Sequence, residues 1–146
     1  MGLVAETIEI KATPKQCFEI ITKYEAYPEF LKDLKGVIVK NKKKNSAEVT
    51  YEIEVIKKIS YTLKMEETPN ERVEWSFVRG DIMKDNHGYW ELEELKKGLT
   101  KATYNIEVRF GLLVPGAITR SLVSKNLPDM LQSFKTRIEK HVKVKV

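Results

Sequence analysis

The stretch AEVTYEIEV, residues 47–55, alternates without a break. Ala47, Val49, Tyr51, Ile53 and Val55 fall on one side of an extended chain; Glu48, Thr50, Glu52 and Glu54 fall on the other. Successive strand side chains point to opposite faces, so this is a strand with one apolar and one wet, acidic face. The period of two continues on both sides. Ile59, Tyr61, Leu63 and Met65 alternate with Ser60, Thr62, Lys64 and Glu66. Val73, Trp75 and Phe77 alternate with Glu74 and Ser76, and Ala102, Tyr104, Ile106, Val108 and Phe110 with Thr103, Asn105, Glu107 and Arg109. Turn residues separate these strands at 42–46, at Thr68-Pro69-Asn70-Glu71 and at Lys96-Lys97-Gly98. Two places are weaker. The Lys57-Lys58 join has neither Gly nor Asn, and in residues 85–95 Trp90 and Leu92 share a face while Tyr89 and Leu95 fall on the other.

Upstream, Val4, Glu6, Ile8 and Ile10 alternate with Ala5, Thr7, Glu9 and Lys11, which predicts a first strand. A helix start follows. Thr13 is placed as N-cap, Pro14 as the first helical residue, and Gln16 completes a capping box ahead of the stripe Cys17, Phe18, Ile20, Ile21. Residues 24–34 read as a second short helical or irregular segment, ended by Gly36. Downstream of Phe110 the period returns to 3.6. Ile118, Leu122, Val123, Leu127, Met130, Leu131, Phe134, Ile138 and Val142 form the stripe of a long C-terminal helix. Pro128 either starts the regular helix or kinks it.

Composition sets the frame. A chain of 146 residues, 42% hydrophobic and 32% charged, reads as one domain over 1–146, not a disordered tail. A chain this long buries roughly 70% of its unfolded surface and needs no disulfide or metal to fold. Apolar runs stop at three residues, as in Val37-Ile38-Val39, so no membrane span is expected, nor a signal peptide ahead of the first strand. A single cysteine, Cys17, excludes an internal disulfide, reads as a small buried hydrophobe and fits a cytoplasmic location. His87 and His141 stand far apart, so no metal site is expected. No phosphate loop, dinucleotide fingerprint or nucleophile elbow occurs, and no cofactor is expected. The net charge of +5 falls short of a DNA-binding signature.

The order is strand, two short helices, six strands, long helix. A sheet with one apolar face must cover it, and the final helix is the only element long enough. A helix is about 10–12 Å across, whereas six or seven strands at about 4.8 Å span roughly 30 Å. The sheet must therefore curl. The expected fold is α+β: a curved antiparallel sheet of about seven strands wrapped around the C-terminal helix, with two short helices after the first strand. One stripe fills such a concavity poorly, which leaves room for a cavity suited to apolar small molecules.

This order resembles the helix-grip fold of the START-like superfamily, which includes polyketide cyclases and birch-pollen-allergen-like proteins. Tyr27-Pro28-Glu29-Phe30-Leu31 resembles the Tyr-Pro-x-Phe-Leu segment of its coenzyme-Q-binding branch. The run from Phe77-Val78-Arg79-Gly80 to Gly88-Tyr89-Trp90-Glu91-Leu92 resembles that branch's Val-Asp-Gly…Gly-x-Trp-x-Phe pattern. Nearly the whole chain is covered. Arg79 departs from it where an acidic residue is expected, and Pro128 where the helix is usually continuous. The resemblance implies binding of an isoprenoid quinone or another lipid-like molecule. It also brings in aromatase/cyclases, which fold a polyketide in the same cavity, and a relative described as a ribosome-association toxin.

Candidate ligand contacts follow from the inward faces. Tyr27 and Phe30 either line a cavity mouth, with Pro28 stiffening the loop, or pack the short helix onto the sheet. Trp75, Phe77 and Trp90 serve the core or stack on a ligand. Tyr51, Tyr61 and Tyr104 carry inward hydroxyls that need a partner: each other, water or a ligand oxygen. Arg79 continues the Trp75 and Phe77 face; pointing inward it would hold a carboxylate or quinone oxygen, and at a rim it would reach solvent. Leu122, Leu127, Met130 and Phe134 lie on the helix stripe. Glu91, Glu93 and Glu94 read as solvated, and His87 is a general base only if it faces the cavity. No catalytic residue is assigned. Lysines at the hairpin tips keep sheet edges soluble, or form a patch for RNA or a membrane surface. Together these readings predict a binding or chaperone protein for a hydrophobic small molecule. A polyketide aromatase/cyclase and a ribosome-associated regulator are the alternatives.

Overall fold

The computed structural model describes residues 2–54, 58–112, 114–121 and 126–144. Each run of period two becomes a strand: β1 (Gly2–Ile10), β2 (Leu34–Lys43), β3 (Ser46–Glu54), β4 (Lys58–Thr68), β5 (Arg72–Gly80), β6 (Met83–Lys96) and β7 (Leu99–Phe110). They form one antiparallel sheet in the order β1-β7-β6-β5-β4-β3-β2. Strands β2 to β7 pair in sequence as hairpins, and β1 closes beside β7. Across the inner face Val49 stands opposite Leu63, Tyr51 opposite Tyr61, Met65 opposite Trp75 and Trp90 opposite Tyr104. On the outer face Thr50 and Thr62 pair, their hydroxyls 2.7 Å apart. Asn70, at φ 64°, and Gly98, at φ 79°, supply the left-handed positions of two of the turns.

The helix α1 (Pro14–Ile21) begins with the expected reciprocal cap. The Gln16 amide donates to Thr13 Oγ1 at 3.2 Å, and the Thr13 amide to Gln16 Oε1 at 2.8 Å. The next segment is a 3₁₀ helix (Tyr24–Glu29), and Gly36 does not end it: Gly36 lies inside β2, beside a shift of register. A short α2 (Gly116–Ser121) precedes α3 (Leu127–Val144). Pro128 is the second residue of α3, and Asn126 just ahead of the helix has π-helical backbone. Leu127, Leu131, Phe134 and Ile138 bury the stripe against the sheet. Leu122 and Val123 of the expected stripe, Val55 of the expected strand and Lys57 of the expected turn lie outside the described residues. Glu139 ties α3 to the end of β1, accepting from the Lys11 amide at 2.8 Å and Lys135 Nζ at 2.9 Å. Partial burial works to raise its pKa, but these hydrogen bonds outweigh that and hold it below the ordinary glutamate value. No helix among the described residues is long and apolar enough to cross a membrane.

The weakly alternating residues 85–95 belong to one long strand. Inside β6 the buried positions are Met83, Asn86, Gly88, Trp90 and Leu92. Gly88 stands opposite Trp75, and a Cβ there would lie 2.9 Å from Trp75 Cζ2 and 2.0 Å from the Asn105 carbonyl oxygen. The indole occupies the space a side chain would need. A small residue and an amide on the inner face are what broke the hydrophobic pattern.

Candidate ligand cavity

Between the concave face and α3 lies a cavity of about 540 Å³, within the size range of small-molecule sites. Its walls are mainly apolar, and seven of the aromatic rings form a continuous chain. Tyr61 and Tyr51 lie 5.5 Å apart, Tyr51 and Tyr27 6.2 Å, and Tyr27 and Phe134 5.1 Å, all between centroids. Phe134 meets Trp90 at 5.3 Å, Trp90 meets Tyr104 at 4.8 Å, and Tyr104 meets Trp75 at 5.4 Å. Phe134, projecting from α3, brings the two arcs together by touching both Tyr27 and Trp90. Phe30 adds an edge contact to Phe134 at 5.1 Å, and Leu127 and Met130 line the helix side.

The hydroxyls fall into two kinds. Tyr27 donates to the Ile21 carbonyl at the end of α1, and Tyr51 donates to Met65 Sδ at 3.8 Å. Tyr61 and Tyr104 have no hydrogen-bond partner among the described residues, yet no buried side-chain polar atom goes unsatisfied. Both oxygens therefore face the open space of the cavity. Burial pushes the Tyr61 phenol up to about 12 and the Tyr27, Tyr51 and Tyr104 phenols well above the ordinary tyrosine value. All four stay protonated as donors at neutral pH. Asn86, absent from the sequence-derived candidates, is the buried amide of the wall: its Oδ1 accepts from Trp75 Nε1 at 3.0 Å and its Nδ2 donates to Met83 Sδ at 3.6 Å. Stepping back by twos from Trp90 finds it.

The mouth is polar. Lys32 and Asp33, between the 3₁₀ helix and β2, face Asn126, Asp129, Gln132 and Ser133 at the start of α3. Asn126 Nδ2 donates to Asp33 Oδ2 at 2.6 Å across the gap. Arg137 pairs with Glu29, its guanidinium 5.1 Å from the centre of the Phe30 ring, which fixes the 3₁₀ helix to α3. None of these polar residues breaks a hydrophobic period, so a reading by periods passes over them. Lys32, exposed, is the single cation among the described lining residues.

Two of the candidate contacts, Arg79 and Phe77, are not among the described residues that line the cavity. Arg79 does not point inward. Strands β4 and β5 slip register at Val78, so Leu63 faces Phe77 but Thr62 faces Arg79. That bulge puts Arg79 on the outer face with Thr62, exposed to solvent. Phe77 is half-buried against the core and is not part of the cavity wall. His87 is on the outer face too, with Nδ1 2.9 Å from Asp85 Oδ2 and Nε2 3.0 Å from Glu107 Oε2, too far round the sheet to act as a base in the cavity. Leu122 lies outside the described residues. Cys17 is buried, and burial raises its thiol to about 11.

A sequence-family model described as polyketide cyclase/dehydrase and lipid transport matches residues 10–135. The chain belongs to this family. No curated protein sequence is significantly similar to it. Among solved structures, a START superfamily protein from Mycobacterium smegmatis superposes with a TM-score of 0.82 at 18% identity, over 94% of this chain and 97% of that one. The Zhui aromatase/cyclase from Streptomyces sp. R1128 gives 0.86 at 12% identity, over 97% and 95%. A STAR-related lipid transfer protein from Xanthomonas axonopodis gives 0.77 at 11% identity, over 93% and 85%. At these identities the likeness is one of fold: the curved sheet gripping a C-terminal helix that this family member was expected to have.

Proposed function

We propose that this family member binds and chaperones an uncharged, largely apolar small molecule that presents one or two hydrogen-bond-accepting oxygens to Tyr61 and Tyr104. The reading rests on one observation: two protonated phenols with no hydrogen-bond partner among the described residues line an apolar cavity rich in aromatic rings. Apolar burial supplies the affinity, at about 25 cal/mol per Å², and the phenols set the orientation. A carboxylate deep in the cavity would meet no cation and bear its full desolvation penalty. An isoprenoid quinone such as coenzyme Q, a neutral lipid or a polyketide-like aromatic fits these terms better than a free fatty acid. Zhui is an aromatase/cyclase and the Xanthomonas relative a lipid transfer protein, which supports a hydrophobic guest of either kind. A cytoplasmic carrier is the setting we infer.

The two tryptophans of the chain, Trp75 and Trp90, both line the cavity, so intrinsic fluorescence reads occupancy directly. Titration with a short-chain quinone, a neutral aromatic ketone and a fatty acid should give saturable quenching by the neutral compounds, with the fatty acid weakest. Absence of saturable quenching by any neutral compound would overturn the proposal.

The same phenols favour a second reading, in which they donate protons to a carbonyl during ring closure of a polyketide. That version requires turnover to vanish in a Tyr61→Phe/Tyr104→Phe double variant that still binds.

A further inference from the structure

The loop that leaves the cavity wall ends in a bare leucine. Phe110 lines the cavity, and two residues later Leu112 stands fully exposed, more so than any other large apolar side chain among the described residues. The loop is anchored at its base: the Gly111 amide donates to the Ile82 carbonyl at 3.0 Å, and the Val114 amide to the Gly111 carbonyl at 3.1 Å. Beside it, the turn between β5 and β6 adds the half-buried Ile82.

Basic side chains flank this loop. Lys84 lies alongside Gly111, its Cε 3.4 Å from where a Cβ would stand, and Arg120 folds over Gly116, its Nη1 3.1 Å from the equivalent point. Arg109 is exposed two residues before Gly111. Asp81, in the turn between β5 and β6, turns both oxygens to backbone: Oδ1 accepts from the Ile82 amide at 2.7 Å and Oδ2 from the Ser60 amide at 3.3 Å. Asp85, the cross-strand neighbour of Arg109, is taken up by His87.

We propose that this end of the molecule docks on an anionic phospholipid bilayer, with Leu112 inserted at the headgroup boundary and Lys84 and Arg109 on the lipid phosphates. An apolar tip flanked by basic side chains is the composition an anionic interface selects. A soluble polyanion such as RNA uses the cations but offers the leucine no apolar phase. Phe110, two residues before Leu112, lines the cavity, so a docked tip would bring the membrane next to the wall that holds a guest. This purpose rests on the carrier reading; the docking itself is measured without any guest.

The test is flotation of the full chain with phosphatidylcholine vesicles, with and without phosphatidylglycerol. Binding should require phosphatidylglycerol and weaken with salt. Leu112→Glu should lower it about tenfold or more, from lost apolar burial. Lys84→Gln and Arg109→Gln should each lower it about fivefold, by the electrostatic attraction per charge near such a surface. Ile38→Ser, at another exposed apolar residue, on the outer face of β2, should change nothing. Leu112→Ser serves as a second variant, and unchanged far-UV circular dichroism confirms folding. No binding by the wild type, equal loss in Ile38→Ser and Leu112→Glu, or RNA binding that follows the cations while Leu112→Glu still floats would each overturn the proposal. Flotation without fluorescence quenching leaves docking standing and removes the carrier reading; quenching without flotation does the reverse.

Discussion

Removing single hydroxyls from the cavity tyrosines separates protein-satisfied phenols from those awaiting a guest. Tyr27→Phe takes away the donor to the Ile21 carbonyl, an end-of-helix acceptor with no intrahelical partner. Both groups are buried, so the orphaned carbonyl should cost about 1–3 kcal/mol. Tyr51→Phe loses a long bond to sulfur, a weak acceptor, and should cost less, about 0.5 kcal/mol. Tyr61→Phe and Tyr104→Phe break no protein hydrogen bond and should stay within about 0.5 kcal/mol of wild type. Their effect should fall on the guest: one hydrogen bond of about 0.5–1.5 kcal/mol is a two- to twelvefold loss of affinity per hydroxyl. Guanidinium unfolding followed by circular dichroism gives the first quantity, read as a midpoint shift at constant slope. Tryptophan quenching gives the second. A destabilisation of Tyr61→Phe or Tyr104→Phe as large as that of Tyr27→Phe would refute the reasoning, because those hydroxyls would then be serving the fold.

Gly88→Ala should destabilise by about 3 kcal/mol, through a Cβ overlapping the Asn105 carbonyl and the Trp75 ring; chemical denaturation checks it. Glu139 has a lowered pKa in the folded chain, so its stabilisation is present above the ordinary glutamate value and is lost as pH falls through the lowered one. Glu139→Gln should accordingly be less stable than wild type at neutral pH, with the difference closing in acid; thermal melts across pH test this. Cys17, held up to about 11 by burial, should resist alkylation in the native state at mildly alkaline pH and react on unfolding. Labelling of the native thiol at the rate of a free one would contradict its placement in the core.

Much of the fold was readable because it rests on periods. The alternation that begins at residue 47 recurs in β3 with Ala47, Val49 and Tyr51 buried, and Thr13, Pro14 and Gln16 cap α1 as their chemistry requires. What escaped is local geometry that period-counting does not carry. The bulge at Val78 reverses the face of Arg79, and no residue type announces a bulge there. Gly88 and Asn86 hide β6 because their inward positions serve Trp75: one makes room for the ring, the other accepts from its indole nitrogen. The cavity's apolar wall was legible as inward aromatics, whereas its polar mouth depends on residues 32–33 and 126–133 meeting across 93 positions of sequence.

The central claim is that a neutral guest completes this interior. Native mass spectrometry of the purified chain, beside the Tyr61→Phe/Tyr104→Phe double variant, tests it most directly. The account predicts one uncharged, solvent-extractable molecule per chain, depleted in the double variant and restored to the wild type by incubation with a neutral quinone. A bare chain in every preparation, still bare after that incubation, would contradict it.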